Sequence, residues 1–300
     1  MKISIIITAY HEEKTIGRAL EAFLKQKIPE NYEIIGVCPD GETAGVIKKY
    51  AKKNRRIKYI KDPHKGKPTA LNLAFKRAKG NILILTDGDV YSSSNSVKEL
   101  LKLFIDKKVG AVAGRPVSIS PRNNIYGYWS HVLTNIAHEL RLEASERNSF
   151  IHCTGYLYAI RREALKKIPV IPSNTLADDG YISHKLFDAG SKIGYAPRAE
   201  VYIRYPDNFK DWVKQKKRST GGYNQLKEFG IKHKEQRSFI WESLGFWRVL
   251  KFARSPKELL WSIALLLSRL YLWLLIYRDV NVHKNRLFGR YGWERIESTK

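Results

Sequence analysis

The sequence is poor in sulfur and in acidic side chains. Among 300 residues it has two cysteines, Cys38 and Cys153, and one methionine. Two cysteines are too few for a disulfide scaffold or a cysteine-rich zinc site. Both lie in apolar stretches, so we expect buried free thiols, which suit a reducing compartment.

The shortage of acids leaves 29 Asp and Glu against 54 Lys and Arg, a formal net charge of +25. Such a surplus favours an anionic partner, which means a nucleic acid, a phospholipid surface or a phosphorylated substrate. A lysine-rich surface that only keeps the protein soluble is an equally good interpretation.

Several signatures are also missing. The eight histidines show no H-E-x-x-H or comparable zinc spacing, and no G-x-S-x-G nucleophile elbow occurs. "HKGKPTALN" (64–72) is not a P-loop, because Lys61 stands where that motif needs its first glycine. No recognition-helix or RNP pattern supports a nucleic-acid binder. The opening "MKISIIITAY" is too short and too β-branched for a signal peptide, and it predicts a strand.

Apolar strands and helices alternate along the first part of the chain. This pattern predicts an α/β fold with a mostly parallel sheet and helices on both faces. Gly80 and Gly190 are expected to end helices. Strands are predicted at 2–10, 32–38, 57–60, 81–86 and 109–117, helices at 15–26, 43–53, 68–80, 125–145 and 178–190, a strand or turn at 152–160, and a strand pair over about 192–204.

Polar side chains follow the predicted parallel strands where those strands end. "TAY" (8–10) ends the first strand, "PDG" (39–41) the second and "DGD" (87–89) the fourth. Ligands of such sheets bind at the carboxyl ends of the strands. We therefore expect Tyr10, Asp40, Asp87 and Asp89 to line one crevice.

The pair Asp87 and Asp89, separated by Gly88, suits a hard divalent cation that also binds phosphate oxygens. Mg²⁺ or Mn²⁺ would bridge a carboxylate and a diphosphate there. The alternative is an ordinary turn, since Asp and Gly are common in turns for backbone reasons.

Two further motifs have both a functional and a structural interpretation. Lys65 and Lys67 precede a predicted helix, where they would face phosphate or simply be solvated. "ADDG" (177–180) opens another helix, in which Asp178 or Asp179 is either the N-cap or a general base.

The C-terminal stretch differs from the rest. Residues 205–300 carry 20 Lys and Arg against 9 Asp and Glu, and the mostly apolar stretch 259–277 has one charge, Arg269. This segment is about long enough to cross a hydrocarbon core of about 30 Å. Ser255, Ser262 and Arg269 would form a narrow polar stripe, so a helix lying on the membrane or paired with another ranks above a span. A helix packed on the protein is weighed equally.

Taken together, these motifs resemble the inverting family 2 of glycosyltransferases, with the GT-A type of fold, over roughly residues 2–220. "SIIITAYHEE" is similar to the family's nucleotide-contacting opening, "PDG" to its D-D-G, "GKPTALN" to its G-K-x-x-A-L-N, and "TDGDV" to its D-x-D metal motif. "FIHCTGYLYAIRREAL" (150–165) resembles the acceptor-proximal segment, and "LADDGYI" the segment of the catalytic base. "QKKRS" (215–219) resembles Q-x-x-R-W, but Ser219 replaces the tryptophan, which argues against a processive polymerase.

The resemblance implies an inverting transfer of a sugar from a nucleotide-sugar, with UDP as the expected nucleotide, to a hydroxyl of a glycan or glycolipid. It implies Asp179 as the base, with Asp178 beside it, and a Mn²⁺ or Mg²⁺ ion held by Asp89 and Asp87. It places the acceptor at Thr154 and Gly155. The implied nucleotide-sugar residues are Thr8, Ala9, Tyr10, Glu12, Asp40, Lys67, Asp87, Gly88, Gln215 and Arg218.

Residues 1–220 would then form the catalytic domain, with the nucleotide-sugar side over about 1–117 and the acceptor side over about 118–220. Residues 221–300 would form a basic helical region at the cytoplasmic face of the cell membrane. The alternatives are a polyprenyl-phosphate sugar transferase, a nucleotidylyltransferase and a non-enzymatic nucleic-acid binder.

Overall fold

The computed structural model describes residues 1–29, 31–39, 41–231, 245–281 and 299. The chain divides into two compact units, each made of two stretches. The first unit comprises 1–117 and 141–203, and the second comprises 118–140 and 204–300. The expected boundary between catalytic and C-terminal regions at residue 220 stays a prediction.

The first unit is built on an eight-stranded sheet. Its central strands are runs of β-branched and other apolar residues, and β1, β2 and most of β4 are buried along their length. The strands are β1 Ile3–Thr8, β2 Tyr32–Cys38, β3 Ile57–Lys61, β4 Ile82–Asp87, β5 Tyr91–Ser92, β6 Val109–Ser118, β7 Leu157–Arg161 and β8 Lys192–Ile203.

The strand order is β3-β2-β1-β4-β7-β6-β8-β5. β3, β2, β1 and β4 run parallel, whereas β7 runs antiparallel to β4 and β6, and β5 runs antiparallel to β8. The α/β class is therefore confirmed. The parallel half brings four carboxyl ends to one edge, as the sequence pattern predicted.

Helices follow most of the strands. Between parallel strands, each helix returns the chain to the end of the sheet at which the next strand begins. The helices are α1 Ile16–Leu24, α2 Gly41–Lys53, α3 Lys67–Arg77, α4 Ser96–Lys102, α5 Ile125–Glu146, α6 Arg162–Leu165, α7 Asp178–Asp188, α8 Phe209–Gln225, α9 Phe246–Lys251 and α10 Pro256–Asn281.

Two local predictions were wrong. Helix α3 ends at Arg77 and not at Gly80, because Ala78 is already extended. Gly80 instead lies against the backbone of Ser4 and donates its N–H to the Ser4 hydroxyl, so a Cβ there would collide with β1. The expected strand pair over 192–204 is the single long strand β8. The prediction of buried free cysteines is confirmed.

The second unit has an aromatic core of its own. Tyr128 and Trp129 of α5 pack with Trp212 of α8, and Leu265 of α10 is fully buried in the same cluster. Within this core the Ser262 hydroxyl donates to the carbonyl of Val249 and shares a hydrogen bond of 2.7 Å with the Tyr128 hydroxyl. One face of α10 is therefore part of the protein interior.

Candidate active site

The parallel register of β1 and β4 places Thr8 beside Asp87. The Thr8 hydroxyl donates to Asp87 Oδ1 at 3.0 Å, and the Gly88 N–H donates to the Thr8 carbonyl at 2.9 Å. Two residues 79 positions apart in sequence thus meet where their strands end.

Gly88 allows the turn after β4 to lie directly on the loop after β1. A Cβ at Gly88 would collide with Glu12 Oε2 and come within 2.9 Å of Ala9 Cβ. The backbone N–H of Glu12 donates to Thr43 Oγ1 at 2.9 Å, which fixes this loop against α2. Only a glycine permits so close an approach, so Ala9, Glu12 and Gly88 lie together as predicted.

Lys67 is the first residue of α3 and reaches the same edge of the sheet. Its Nζ lies 2.6 Å from Asp87 Oδ1, and both side chains are largely buried. Burial alone would lower the pKa of Lys67, but the charges of Asp87, Asp178 and Asp179 outweigh burial and raise the pKa above its usual value. Lys67 is therefore a fixed cation shared by three carboxylates.

Asp179 is held at this site by two backbone hydrogen bonds. The N–H of Gly155 donates to its Oδ2 and the N–H of Gly180 to its Oδ1, each at 2.8 Å. A Cβ at Gly155 would lie 3.5 Å from Asp179 Oδ2 and 3.8 Å from Lys67 Nζ. The structure thus brings the predicted base and the predicted acceptor residue Gly155 next to the Lys67–Asp87 pair. Thr154 precedes Gly155 and is buried.

Asp178 is the most perturbed carboxyl of this group. Burial raises its pKa to about 6; Lys67 opposes the rise, and the charges of Asp179 and Asp87 add to it. Its Oδ2 is buried and has no hydrogen-bond partner among the residues that the structure describes. The N-cap interpretation was wrong for both acids, because Ala177 is the N-cap and the two aspartates are the first residues of α7.

Replacing Asp178 with asparagine is expected to stabilise the protein above about pH 6. A carboxyl whose pKa is raised by folding favours the folded state below its unfolded pKa, and this contribution is lost as pH rises through the folded value. At about pH 8 the free energy of unfolding of the variant should exceed that of wild type by up to about 3 kcal/mol, and at about pH 3 the two should be equal.

Urea unfolding at both pH values measures this difference in free energy of unfolding. Asp188→Asn, at the exposed end of α7, is the matched control, and a D178N variant no more stable than wild type at the higher pH would contradict the interpretation.

Tyr158 was not identified from the sequence. Its hydroxyl is buried in β7 without a hydrogen-bond partner among the described residues. Burial raises its pKa well above the usual value, and the charges of Asp178 and Asp179 add to this shift. The only sequence signal is a phenol within the otherwise apolar "LYAI" stretch of β7.

A group of three neighbouring rings at the same edge of the sheet was also missed. Tyr10 lies 4.2 Å from His11 and 5.0 Å from His64 between ring centroids, and both histidines have positive φ. The N–H of His64 donates to Asp62 Oδ1 at 3.0 Å, and Asp62, which follows β3, has a pKa raised by burial. Loop conformations of this kind leave no periodic pattern in the sequence.

The two arginines of the predicted acceptor-proximal segment, Arg161 and Arg162, donate hydrogen bonds to backbone carbonyls. β7 runs antiparallel to β4, so its end at Arg161 lies at the opposite edge from Asp87. There the guanidinium of Arg161 donates to the carbonyls of Phe104, Asp106 and Val109, and that of Arg162 donates to those of Phe75, Ala78 and Gly80.

The ligands expected for a divalent cation are Asp87, the last residue of β4, and Asp89, which lies in the turn that follows. Among the described residues no group of three or more His, Cys, Asp or Glu side chains is arranged to hold a metal. Two carboxylates one residue apart still fit Mg²⁺ or Mn²⁺, because such ions often take one or two protein carboxylates and complete their shell with phosphate oxygens and water. The donor set therefore suits an ion bound together with a diphosphate.

For three predicted residues the assignment to this site stays a prediction. Asp40 lies outside the described residues. Gln215 and Arg218 lie on α8, in the second unit, and their assignment to the nucleotide stays a prediction.

Comparison with protein families matches more than half of this chain to a known family. The family model described as glycosyl transferase family 2 matches residues 4–169. This range includes Thr8, Lys67, Asp87 and Gly155, whereas Asp178 and Asp179 lie beyond it.

Curated relatives agree with this match. A probable glycosyltransferase, YdaM, of Bacillus subtilis is 28% identical over 231 residues, and a poly-β-1,6-N-acetyl-D-glucosamine synthase of Staphylococcus epidermidis is 27% identical over 231 residues. The alignments cover 74% and 75% of this chain but only 55% of each relative, so the chain spans about half of their length.

Solved structures share the fold at low identity. A mannosyltransferase of Pyrobaculum calidifontis, solved with GDP-mannose and Mn²⁺, has a TM-score of 0.64 and 19% identity, covering 97% of this chain and 81% of its own. A glucosyl-3-phosphoglycerate synthase of Mycobacterium tuberculosis, solved with Mn²⁺ and UDP, has a TM-score of 0.54 and 17% identity, with 78% and 81% covered. These likenesses identify the sheet as the GT-A type of fold.

Proposed function

The chain belongs to glycosyl transferase family 2, and on this premise we propose that it transfers a sugar from a nucleotide-sugar donor to a hydroxyl group, with inversion at the anomeric carbon. One observation carries the proposal. Asp179 and Asp87, which belong to different motifs, meet at the carboxyl end of the sheet around Lys67. In a single displacement the base deprotonates the acceptor while the diphosphate leaves, so the base and the diphosphate site must lie near the same anomeric carbon.

Asp179 acts as the general base. Its two hydrogen bonds from backbone N–H groups fix the carboxylate and leave lone pairs to accept the acceptor's proton. The acceptor oxygen forms its bond to the anomeric carbon as the bond from that carbon to the donor phosphate breaks. The nucleoside diphosphate leaves with the electron pair, and the proton stays on Asp179.

Asp89 and Asp87 would hold the divalent cation. When bound, that ion neutralises the charge that develops on the leaving diphosphate. Lys67 adds a buried positive charge beside Asp87 at the first residue of α3, where helix N–H groups also favour an anion.

The donor proposed is a UDP-sugar, with a GDP-sugar as the competing choice. UDP and GDP-mannose each occur with Mn²⁺ in one of the solved structures that share this fold. Tyr10 and His64 offer ring faces on which a base can stack, since every base has a π-face. The acceptor proposed is a hydroxyl of a glycan or glycolipid, because a phosphate oxygen is already ionised and needs no base.

The proposed location is the cytoplasmic face of the cell membrane. Both cysteines are buried free thiols, which suits a reducing compartment. The relatives include a synthase of a poly-N-acetylglucosamine chain.

A donor panel tests the function. We expect release of one nucleoside diphosphate from one donor class, with Mn²⁺ or Mg²⁺ present and with loss of release on chelation, and an acceptor product whose mass rises by one sugar. NMR of the product's anomeric centre should show the inverted configuration. The panel should pair each donor with a hydroxyl acceptor and with a polyprenyl phosphate. Transfer to the phosphate alone would overturn the hydroxyl assignment, and no release from any donor would overturn the function.

A further inference from the structure

Helix α10 has a second face that is largely exposed to solvent. Its buried face is formed by Ser262, Leu265, Leu272 and Ile276. On the opposite side, apolar side chains three or four residues apart point away from the protein. This exposed face consists of Leu259, Leu260, Ile263, Leu267, Leu270 and Leu274.

The exposure of this face is large for a protein surface. Leu267 is 61% exposed and Leu274 is 68% exposed, in a segment, Pro256–Arg278, whose most apolar 18 residues have a mean hydropathy of 2.0. On the neighbouring helix α9, Phe246 and Trp247 are also exposed. A continuous apolar surface of this size marks an interaction site.

Most charged residues at the two ends of α10 are basic, although Asp279 follows Arg278 in the sequence. Lys251, Arg254 and Lys257 precede or begin α10 and Arg278 lies near its end, and all four are exposed. The acid in the first turn, Glu258, is held by Arg122 at 2.8 Å. A second copy of the chain would bring these cations against identical cations. An anionic lipid surface complements them, and aromatic residues beside basic ones are typical of the headgroup region.

From this face and its charged ends we propose that α10 docks the protein on an anionic bilayer, lying in the plane of the interface. The helix does not cross the bilayer. Crossing would put the buried face into lipid and break the hydrogen bonds of Ser262 with Tyr128 and Val249. In the docked position the leucines enter the acyl boundary, and the lysine and arginine side chains extend to the phosphates.

The test compares two double variants of the full chain that change net charge equally. L267E/L274E places acids on the exposed face, and I105E/V170E places them at exposed apolar positions of the first unit, 85% and 68% exposed. Co-sedimentation with vesicles of phosphatidylglycerol and phosphatidylcholine should show affinity falling by about tenfold or more for the first variant and by much less for the second. Leu260→Glu should weaken binding in the same direction, and high salt should weaken binding of the wild type.

Several results would overturn the proposal. Equal loss in both double variants would mean that charge alone binds the vesicles, and no binding by the wild type would leave the face without a lipid role. A dimer in light scattering that L267E/L274E dissociates would assign the face to a second copy. Retention on vesicles after an alkaline carbonate wash would indicate a span. None of these measurements needs a donor, so they stand or fall separately from sugar transfer.

Discussion

Replacing Asp179 with asparagine is expected to lower kcat for sugar transfer by about 10²- to 10⁴-fold, the usual contribution of a positioned general base. The amide cannot accept the acceptor's proton. It also places a donor N–H against one of the two backbone N–H groups that hold the carboxylate, from Gly155 and Gly180. Binding of the nucleotide should change little, because Asp87 and Lys67 keep their contact.

The measurement is steady-state transfer together with nucleotide affinity, so that kcat and binding are separated. Asp188→Asn at the other end of α7 carries the same chemical change outside the site and should retain near-full turnover. Asp179→Glu keeps the carboxylate but moves it by one methylene, and it should recover only part of the rate. Near-full transfer by D179N would remove Asp179 from the mechanism and favour an acceptor that is already ionised.

The meeting of Thr8 and Asp87 was predictable because parallel strands carry their end residues to one edge. The alternation of apolar strands and helices predicts that shared edge without knowledge of any loop conformation. The same reasoning did not find the contact of Gly155 with Asp179, since both residues follow irregular stretches whose path depends on packing. Strand positions also do not reveal that β7 is antiparallel to β4. Because of that direction, Arg161 and Arg162 lie at the edge of the sheet opposite Asp87, where they donate hydrogen bonds to backbone carbonyls.

The apolar run near the C-terminus shows another limit of sequence. Composition alone treats residues 259–277 as one hydrophobic segment, and the predicted polar stripe does not say whether that side faces water or the protein. The predicted polar stripe contained Ser262, and in the structure that hydroxyl is buried against Tyr128. Periodicity distinguishes one side of the helix, but only the tertiary contacts show that this side is the packed one.

Replacing Lys67 with methionine is expected to destabilise the protein by about 3–5 kcal/mol, the cost of removing one partner from a buried ion pair. Lys67 is the cation whose charge acts on Asp87, Asp178 and Asp179 together, and the side chains of the pair that it forms with Asp87 are largely buried. Without it the three carboxylates repel one another in a poorly hydrated site. Urea unfolding at neutral pH measures the loss, and Lys65→Met, two residues earlier and exposed, should stay within about 0.5 kcal/mol of wild type.

A double-mutant cycle with Asp87→Asn identifies the cause. If the charge pair carries the effect, the double variant K67M/D87N should be more stable than the two single losses add up to, by about 1–3 kcal/mol. Losing Lys67 should also raise the pKa of Asp178 further, since Lys67 is the cation that lowers it. The stability of K67M would then fall with rising pH over a window that extends higher than in wild type. Additive losses and an unchanged pH window would mean that Lys67 stabilises the fold only by packing.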